Sequence, residues 1–135
     1  MSDKYFADFA FTPEQVRKNL QNAKRDLGIA REDAILDVKF TYAYTALIKA
    51  GLALLSHYKL KVRSIPGHHI KLIEKLAEIL GDPAIDDLGN AMRSRRNVDL
   101  YAGGTDITAK DCGEYLAFVE SVVLKVSEKI GNAVT

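Results

Sequence analysis

The stretch from about Glu32 to Lys59 constrains the fold more than any other. It contains no proline and a single glycine, Gly51. Leu36, Phe40, Tyr44, Leu47, Gly51, Leu54 and Tyr58 step along it by fours and threes, the spacing that stacks apolar side chains on one face of an α-helix. At about 1.5 Å per residue such a helix is roughly 40 Å long. A helix of that length with one continuous apolar stripe is expected to be the spine of a helical bundle. Gly51 costs about 1 kcal/mol against alanine inside a helix, and its place on the stripe predicts a close crossing with another helix. Ala43, Ala46, Ala50 and Ala53 widen the close-approach surface, so a second face is expected to be covered.

The other helices are marked by their ends. Thr12 is the expected N-cap of a first helix, with Pro13 at the first helical position and Gln15 completing a capping box. Phe11 and Val16 occupy the hydrophobic-staple positions. Val16, Leu20, Ala23 and Leu27 carry the stripe, Lys18, Lys24 and Arg25 fall off it, and Gly28 is the expected stop. Lys59 to Gly67, KLKVRSIPG, reads as a basic loop. A third helix is expected from about His68 to Leu80, with Ile70, Ile73, Leu76, Ala77 and Leu80 inward and Gly81 as its end. Asp82 and Pro83 then cap and start a fourth, whose apolar face is Ala84, Ile85, Leu88, Ala91 and Met92. Thr108 caps a fifth, with Asp111 at the reciprocal capping position. There Cys112, Tyr115, Leu116, Val119, Val122, Val123, Val126 and Ile130 face inward and Gly131 closes the helix. Residues 1–11 form an arm carrying Tyr5, Phe6, Phe9 and Phe11, too apolar for a free tail and expected to pack on the body or on a second subunit. No segment reads as a strand. The expectation is one domain over residues 1–135, an all-α antiparallel bundle of about five helices with the long second helix as its spine.

A chain of 135 residues, 47% apolar and 27% charged, suits one compact domain and excludes a disordered one. Nineteen basic residues against 18 acidic ones leave a net charge of +1, so no global field argues for nucleic acid. Any anion site must therefore be local. Cys112, the one cysteine, has no partner for a disulfide or a cysteine-based zinc site, which fits a reducing cytoplasm. MSDKYFADFAF lacks the basic and apolar regions of a secretory signal, and no uninterrupted apolar run approaches the roughly 18 residues that span a bilayer. The expectation is a soluble cytoplasmic protein with no membrane partner.

The local feature is NAMRSRRNVDLYAGG, Asn90 to Gly104. Three arginines, Arg93, Arg95 and Arg96, fall within four positions; Asn97, Asp99 and Tyr101 follow, and Gly103-Gly104 ends the segment. Carrying the helical step of about 100° forward places Arg95 and Asp99 near the centre of the apolar face and Arg96 at its edge. A charge pointing inward needs a partner, and Arg95 and Asp99 are spaced i, i+4 to serve one another. Guanidinium groups grip phosphate bidentately, and Asn97 and Tyr101 add donors, so the set suits an anion site. The alternative is three solvated cations near a helix C-terminus, where they are favoured.

The other candidates read as structural. His68 and His69 are adjacent and so do not share a helix face, and His57 stands alone. No zinc site, and no cofactor of any kind, is expected. Gly103-Gly104 lacks the Lys-Ser/Thr of a phosphate loop. Cys112 falls on an apolar face and reads as core; Tyr42, Tyr44 and Tyr58 read as core and interface.

The helix FTYAYTALIKAGLALLSHYKL, then GHHIKLIEKLAEIL, then MRSRRNVDLY before a last amphipathic helix, together resemble a HEPN domain over nearly the whole chain and in the right order. The resemblance implies a small helical bundle that dimerises. Active members are metal-independent ribonucleases, often in toxin-antitoxin or defence systems. Their motif is an arginine, commonly followed by a polar residue, with a histidine four to six residues on. Arg96-Asn97 matches the first pair, and Tyr101 stands where the histidine is expected. A tyrosine of pKa about 10 is a poor base near neutral pH but still donates to phosphate. The resemblance thus implies Arg96 and Tyr101 as the residues of any catalysis. It also implies a second copy, RNA or a nucleotide, and a nucleotidyltransferase-type protein as partners. Arg93, Arg95, Arg96, Asn97, Asp99 and Tyr101 form the expected binding set. Three functions are carried forward: an RNA- or nucleotide-binding dimer with the clusters facing each other, an active endoribonuclease in which Arg96 stabilises the transition state, and a helical interaction module in which Arg95 and Asp99 fix a dimer register.

Overall fold

A computed structural model describes the backbone of residues 4–101 and 107–134, and the side chains of residues 4–97 and 107–131. Five helices, α1 (Pro13–Glu32), α2 (Leu36–His57), α3 (His68–Leu80), α4 (Pro83–Tyr101) and α5 (Ala109–Val134), form an all-α bundle. Two three-residue strands, β1 (Phe6–Asp8) and β2 (Leu60–Val62), are added to it.

α1 begins as its sequence dictates. The Gln15 N–H donates to Thr12 Oγ1 at 3.1 Å and the Thr12 N–H to Gln15 Oε1 at 2.8 Å, a complete capping box. It does not stop at Gly28. The stripe continues from Ala23 and Leu27 to Ala30, each buried, and burying another apolar residue outweighs one glycine's propensity cost. The end comes at Asp33. There Lys39 Nζ donates to the carbonyls of Ala30 and Arg31 at 2.8 and 3.0 Å, placing a cation where the helix dipole is negative. The second helix accordingly starts at Leu36 rather than Glu32.

α1 and α2 are antiparallel. Lys39 reaches Ala30, Thr45 and Lys49 reach Asp26, and Ser56 reaches Asn19, so partner numbers fall along α1 as they rise along α2. Asp26, 1% exposed, is the buried charge between them. Its carboxylate accepts from Lys49 Nζ at 2.6 Å, Thr45 Oγ1 at 2.9 Å and Arg25 Nη2 at 3.3 Å. Burial alone would raise its pKa; the hydrogen bonds from Lys49, Thr45 and Arg25 together with the Lys49 charge outweigh it and hold the carboxyl below its usual range.

α2 is the spine, packing against all four other helices and β2. At 26 residues α5 is the longer element, against 22 for α2. Both expected faces of α2 are covered along most of their length: Phe40, Tyr44, Leu47 and Leu54 on one side, and Ala43, Ala46, Ala50 and Ala53 on the other, are all buried, whereas Tyr58, expected at the end of the stripe, is exposed because α2 ends at His57. A Cβ on Gly51 would sit 3.1 Å from Leu72 Cδ1, which is the close crossing that the glycine foretells. The most apolar 18-residue window of α2 reaches a mean hydropathy of 1.2, enough for a candidate membrane span, and 61% of that window is buried inside the bundle.

The strands depart from an all-helical expectation. β1 and β2 pair antiparallel, Phe6 opposite Val62 and Asp8 opposite Leu60. Lys59, at φ 61°, turns the chain out of α2 into β2, and Phe6 is buried. Of the described part of the arm, Tyr5, Phe6 and Phe11 therefore pack on the body of their own chain, while Phe9 is exposed. Three residues are too few to show the period-2 alternation by which a strand is read.

α3 ends at Gly81 in the left-handed conformation, φ 66°, where a side chain would be strained. Asp82 Oδ1 accepts from the Ala84 N–H at 3.1 Å and starts α4. Thr108 Oγ1 caps α5 by accepting from the Asp111 N–H at 3.0 Å. α5 then runs through Gly131 to Val134. Cys112 is a core thiol whose Sγ donates to the Leu36 carbonyl at 3.7 Å.

Candidate anion site

α4 is rotated from the phase its apolar residues suggest. Ile85 and Met92 are fully buried and Gly89 is buried between them, while Leu88 is 40% exposed and Ala84 and Ala91 are exposed. The reason is Gly89. A Cβ there would fall 2.7 Å from Ile73 Cγ2, so α4 meets α3 along its glycine, a residue that hydrophobic patterning does not score. Continuing Ile85, Gly89 and Met92 by one turn gives Arg96, not Arg95, as the arginine in line with the core.

The cluster accordingly splits. The Arg96 guanidinium lies over the Tyr44 ring, 5.5 Å from its centroid. Arg95 turns towards α5, with its guanidinium 5.9 Å from the Tyr115 ring centroid and Nη2 3.8 Å from Asp111 Oδ2. Arg95 Nη1 is buried and, among the described residues, has no hydrogen-bond partner. Arg93 Nε donates to Asn90 Oδ1 at 3.3 Å, and Asn90 is in turn tied to the Asp86 carboxylate at 2.9 Å. Asn97 is exposed. The expected Arg95–Asp99 pair and the side chain of Tyr101 lie outside the described residues, as does Gly103-Gly104; the backbone of α4 extends through Tyr101.

Tyr44 and His69 complete the neighbourhood, and neither stood out in the sequence. The Tyr44 hydroxyl and His69 Nδ1 are 3.0 Å apart, joining α2 to the start of α3. Tyr44 is core, as expected, at 1% exposure. A buried phenol needs a partner for its hydroxyl, and that need was the available signal. His69 reaches another helix rather than bonding within its own turn. It begins the inward series His69, Leu72, Ile73 and Leu76, whereas Ile70, placed inward by its apolarity, is exposed. His68 does play the local role, with Nδ1 2.9 Å from the Ile65 carbonyl oxygen.

Electrostatics follow from this placement. Burial first, then the charges of His68, Arg96 and Arg93, lower the His69 pKa from 6.5 to about 4. Burial raises Tyr44 to about 12, even though Arg96 and Arg93 pull it down. At neutral pH the pair is thus a neutral imidazole and a protonated phenol beside two guanidinium groups. Such a set donates hydrogen bonds and positive charge, which suits a phosphate oxyanion. Among the described residues no group of three His, Cys, Asp or Glu side chains could hold a metal ion.

The chain matches no known family model, no curated protein and no solved structure.

Proposed function

We propose that this chain is a HEPN-like helical protein, acting as a homodimer, that binds RNA or nucleotide phosphate through its arginine cluster. The observation that carries this reading is the Arg96 guanidinium lying over the Tyr44 ring of the Tyr44–His69 pair, with Arg93 one turn back on α4 close enough for its charge to act on both rings. Arg95, whose Nη1 is buried without a hydrogen-bond partner among the described residues, lies beside them but turns towards α5. The HEPN resemblance extends the proposal to a toxin-antitoxin or defence setting with a nucleotidyltransferase-type partner.

Fluorescence anisotropy with a labelled single-stranded oligouridylate at low ionic strength tests it. Affinity should fall with salt at a log–log slope near −0.7 for each phosphate contact, and the Arg93→Ala/Arg96→Ala double variant should bind about tenfold or more weakly at the ~1.4 kcal/mol per decade of affinity arithmetic. No binding at low salt, or a double variant that binds like the parent, would refute the proposal. A stable dimer without ligand would then favour the plain interaction module.

One observation favours a second reading, metal-independent RNA cleavage. His69 places an imidazole near Arg96, a proton acceptor of the kind that Tyr101 does not supply. With a pKa of about 4 it is a weak base, so cleavage would be slow. An Arg96→Ala variant that cuts as fast as the parent would dispose of this reading.

A further inference from the structure

Three helices bring cationic or protonatable groups to one spot. α2 contributes Tyr44, α3 contributes His68 and His69, and α4 contributes Arg93 and Arg96. The two histidine rings lie 4.4 Å apart, and Arg96 lies over the face of Tyr44. Tyr44 occupies Nδ1 of His69 at 3.0 Å, which fixes the ring and leaves Nε2 as the nitrogen available to a ligand.

Resting on the reading that Arg93 and Arg96 hold a phosphodiester, we propose that His69 is the third phosphate-binding group of this site and binds in its protonated form, so that RNA binding draws a proton from solution. Among the described residues the groups acting on His69 are all basic: His68 from its own helix and Arg96 and Arg93 from α4, with Tyr44 from α2 a protonated phenol. Among the described residues no carboxylate acts on it, so none of them offsets the burial and repulsion that keep it neutral. A phosphodiester supplies that offset. Its negative charge cancels much of the guanidinium field at the ring and gives the imidazolium a direct partner, and an opposite charge within roughly 4–6 Å favours the charged form. Protonation also orients the dyad, because an imidazolium Nδ1–H can only donate, which makes the Tyr44 oxygen the acceptor.

The test is calorimetric titration of the full chain with a hydroxyl-terminated oligouridylate, whose diesters do not titrate near neutral pH. It is run in two non-phosphate buffers of different ionisation enthalpy, so that the difference in heat counts protons. The expected result at pH 6 is uptake approaching one proton, with affinity strengthening by up to about tenfold per pH unit lowered. His69→Gln should bind more weakly and take up none. The parent chain alone gives an independent measurement: the NMR titration of the His69 ring should move from a pKa of about 4 to above the ordinary histidine value when the oligonucleotide is bound. Binding with no proton uptake, uptake that persists in His69→Gln, or an unmoved His69 titration would overturn this inference while leaving the arginine site standing. No binding by the parent at low salt would overturn both.

Discussion

Lowering the pH from 7 to 4 should destabilise the ligand-free protein through His69. The unfolded chain binds a proton on this ring near pH 6.5 and the folded chain only near 4. Between those values unfolding takes up a proton, so stability falls as the pH falls. The full contribution is present above about pH 6.5 and is gone near pH 4. Two and a half pH units at ~1.4 kcal/mol each correspond to about 3 kcal/mol, and partial exposure of the ring reduces this to about 2–3 kcal/mol. For a domain of this size that is on the order of 10 °C in Tm. The assay is urea unfolding of the parent and of His69→Gln at intervals from pH 7 to pH 4. Asp26 and Asp82, both held below the usual carboxylate range, lose their own contributions under acid. They do so in both proteins, and the difference between the two profiles isolates His69. If the profiles run parallel to within about 0.5 kcal/mol, below the ~1.4 kcal/mol of a single pKa unit, the ring is not held neutral by burial and its two arginines, and the account of the site fails with it.

Two further perturbations test the packing that positions the site. Gly89→Ala would put a methyl 2.7 Å from Ile73 Cγ2 and should cost about 1–2 kcal/mol in thermal unfolding, overpacking outweighing the gain in helix propensity. Gly51→Ala meets Leu72 Cδ1 at 3.1 Å and Cγ at 3.2 Å, a looser approach than the 2.7 Å at Gly89, and should stay within about 1 kcal/mol of the parent; equal effects at the two glycines would refute the assigned phase of α4. Asp26→Ala strips Lys49 and Thr45 of their buried acceptor and should cost about 2–3 kcal/mol in urea unfolding. A neutral result would show that Lys49 and Thr45 recover their hydrogen bonds in solvent.

What could be read in advance was local. Thr12, Gly81, Asp82 and Thr108 mark helix ends through contacts within three or four residues, and such chemistry is written in consecutive letters. Gly28 and Gly131 look the same in the sequence as Gly81, yet only Gly81 adopts a positive φ. A glycine ends a helix when the chain must turn there, and at Gly28 buried Ala30 keeps the stripe running. The strands were hidden because residues 6–8 find residues 60–62 far along the chain. The site was half legible for the same reason. Its arginines share one segment, but their partners do not: Tyr44 and His69 are 25 positions apart, and Tyr115 and Asp111 belong to α5. The orientation of the arginines was set by Gly89, a residue with no hydrophobic score.

The split of the arginines also bears on what kind of anion the site would hold. α4 is bipolar: Asp86 and Asp87, with Glu74, Glu78 and Asp82, line a groove of about 440 Å³ at its start, and the arginines lie about six to ten residues, or roughly 9–15 Å, further along. A net charge of +1 therefore conceals two opposed local fields, and a polyanion is repelled from one end of the helix while it is drawn to the other. At the basic end Arg93 and Arg96 act together on the Tyr44–His69 pair, whereas Arg95 faces Tyr115 and Asp111. One phosphate seated on the first pair does not satisfy the third guanidinium. Arg95 is held by Asp111 and Tyr115, so a single anion would be shared by Arg93 and Arg96 alone.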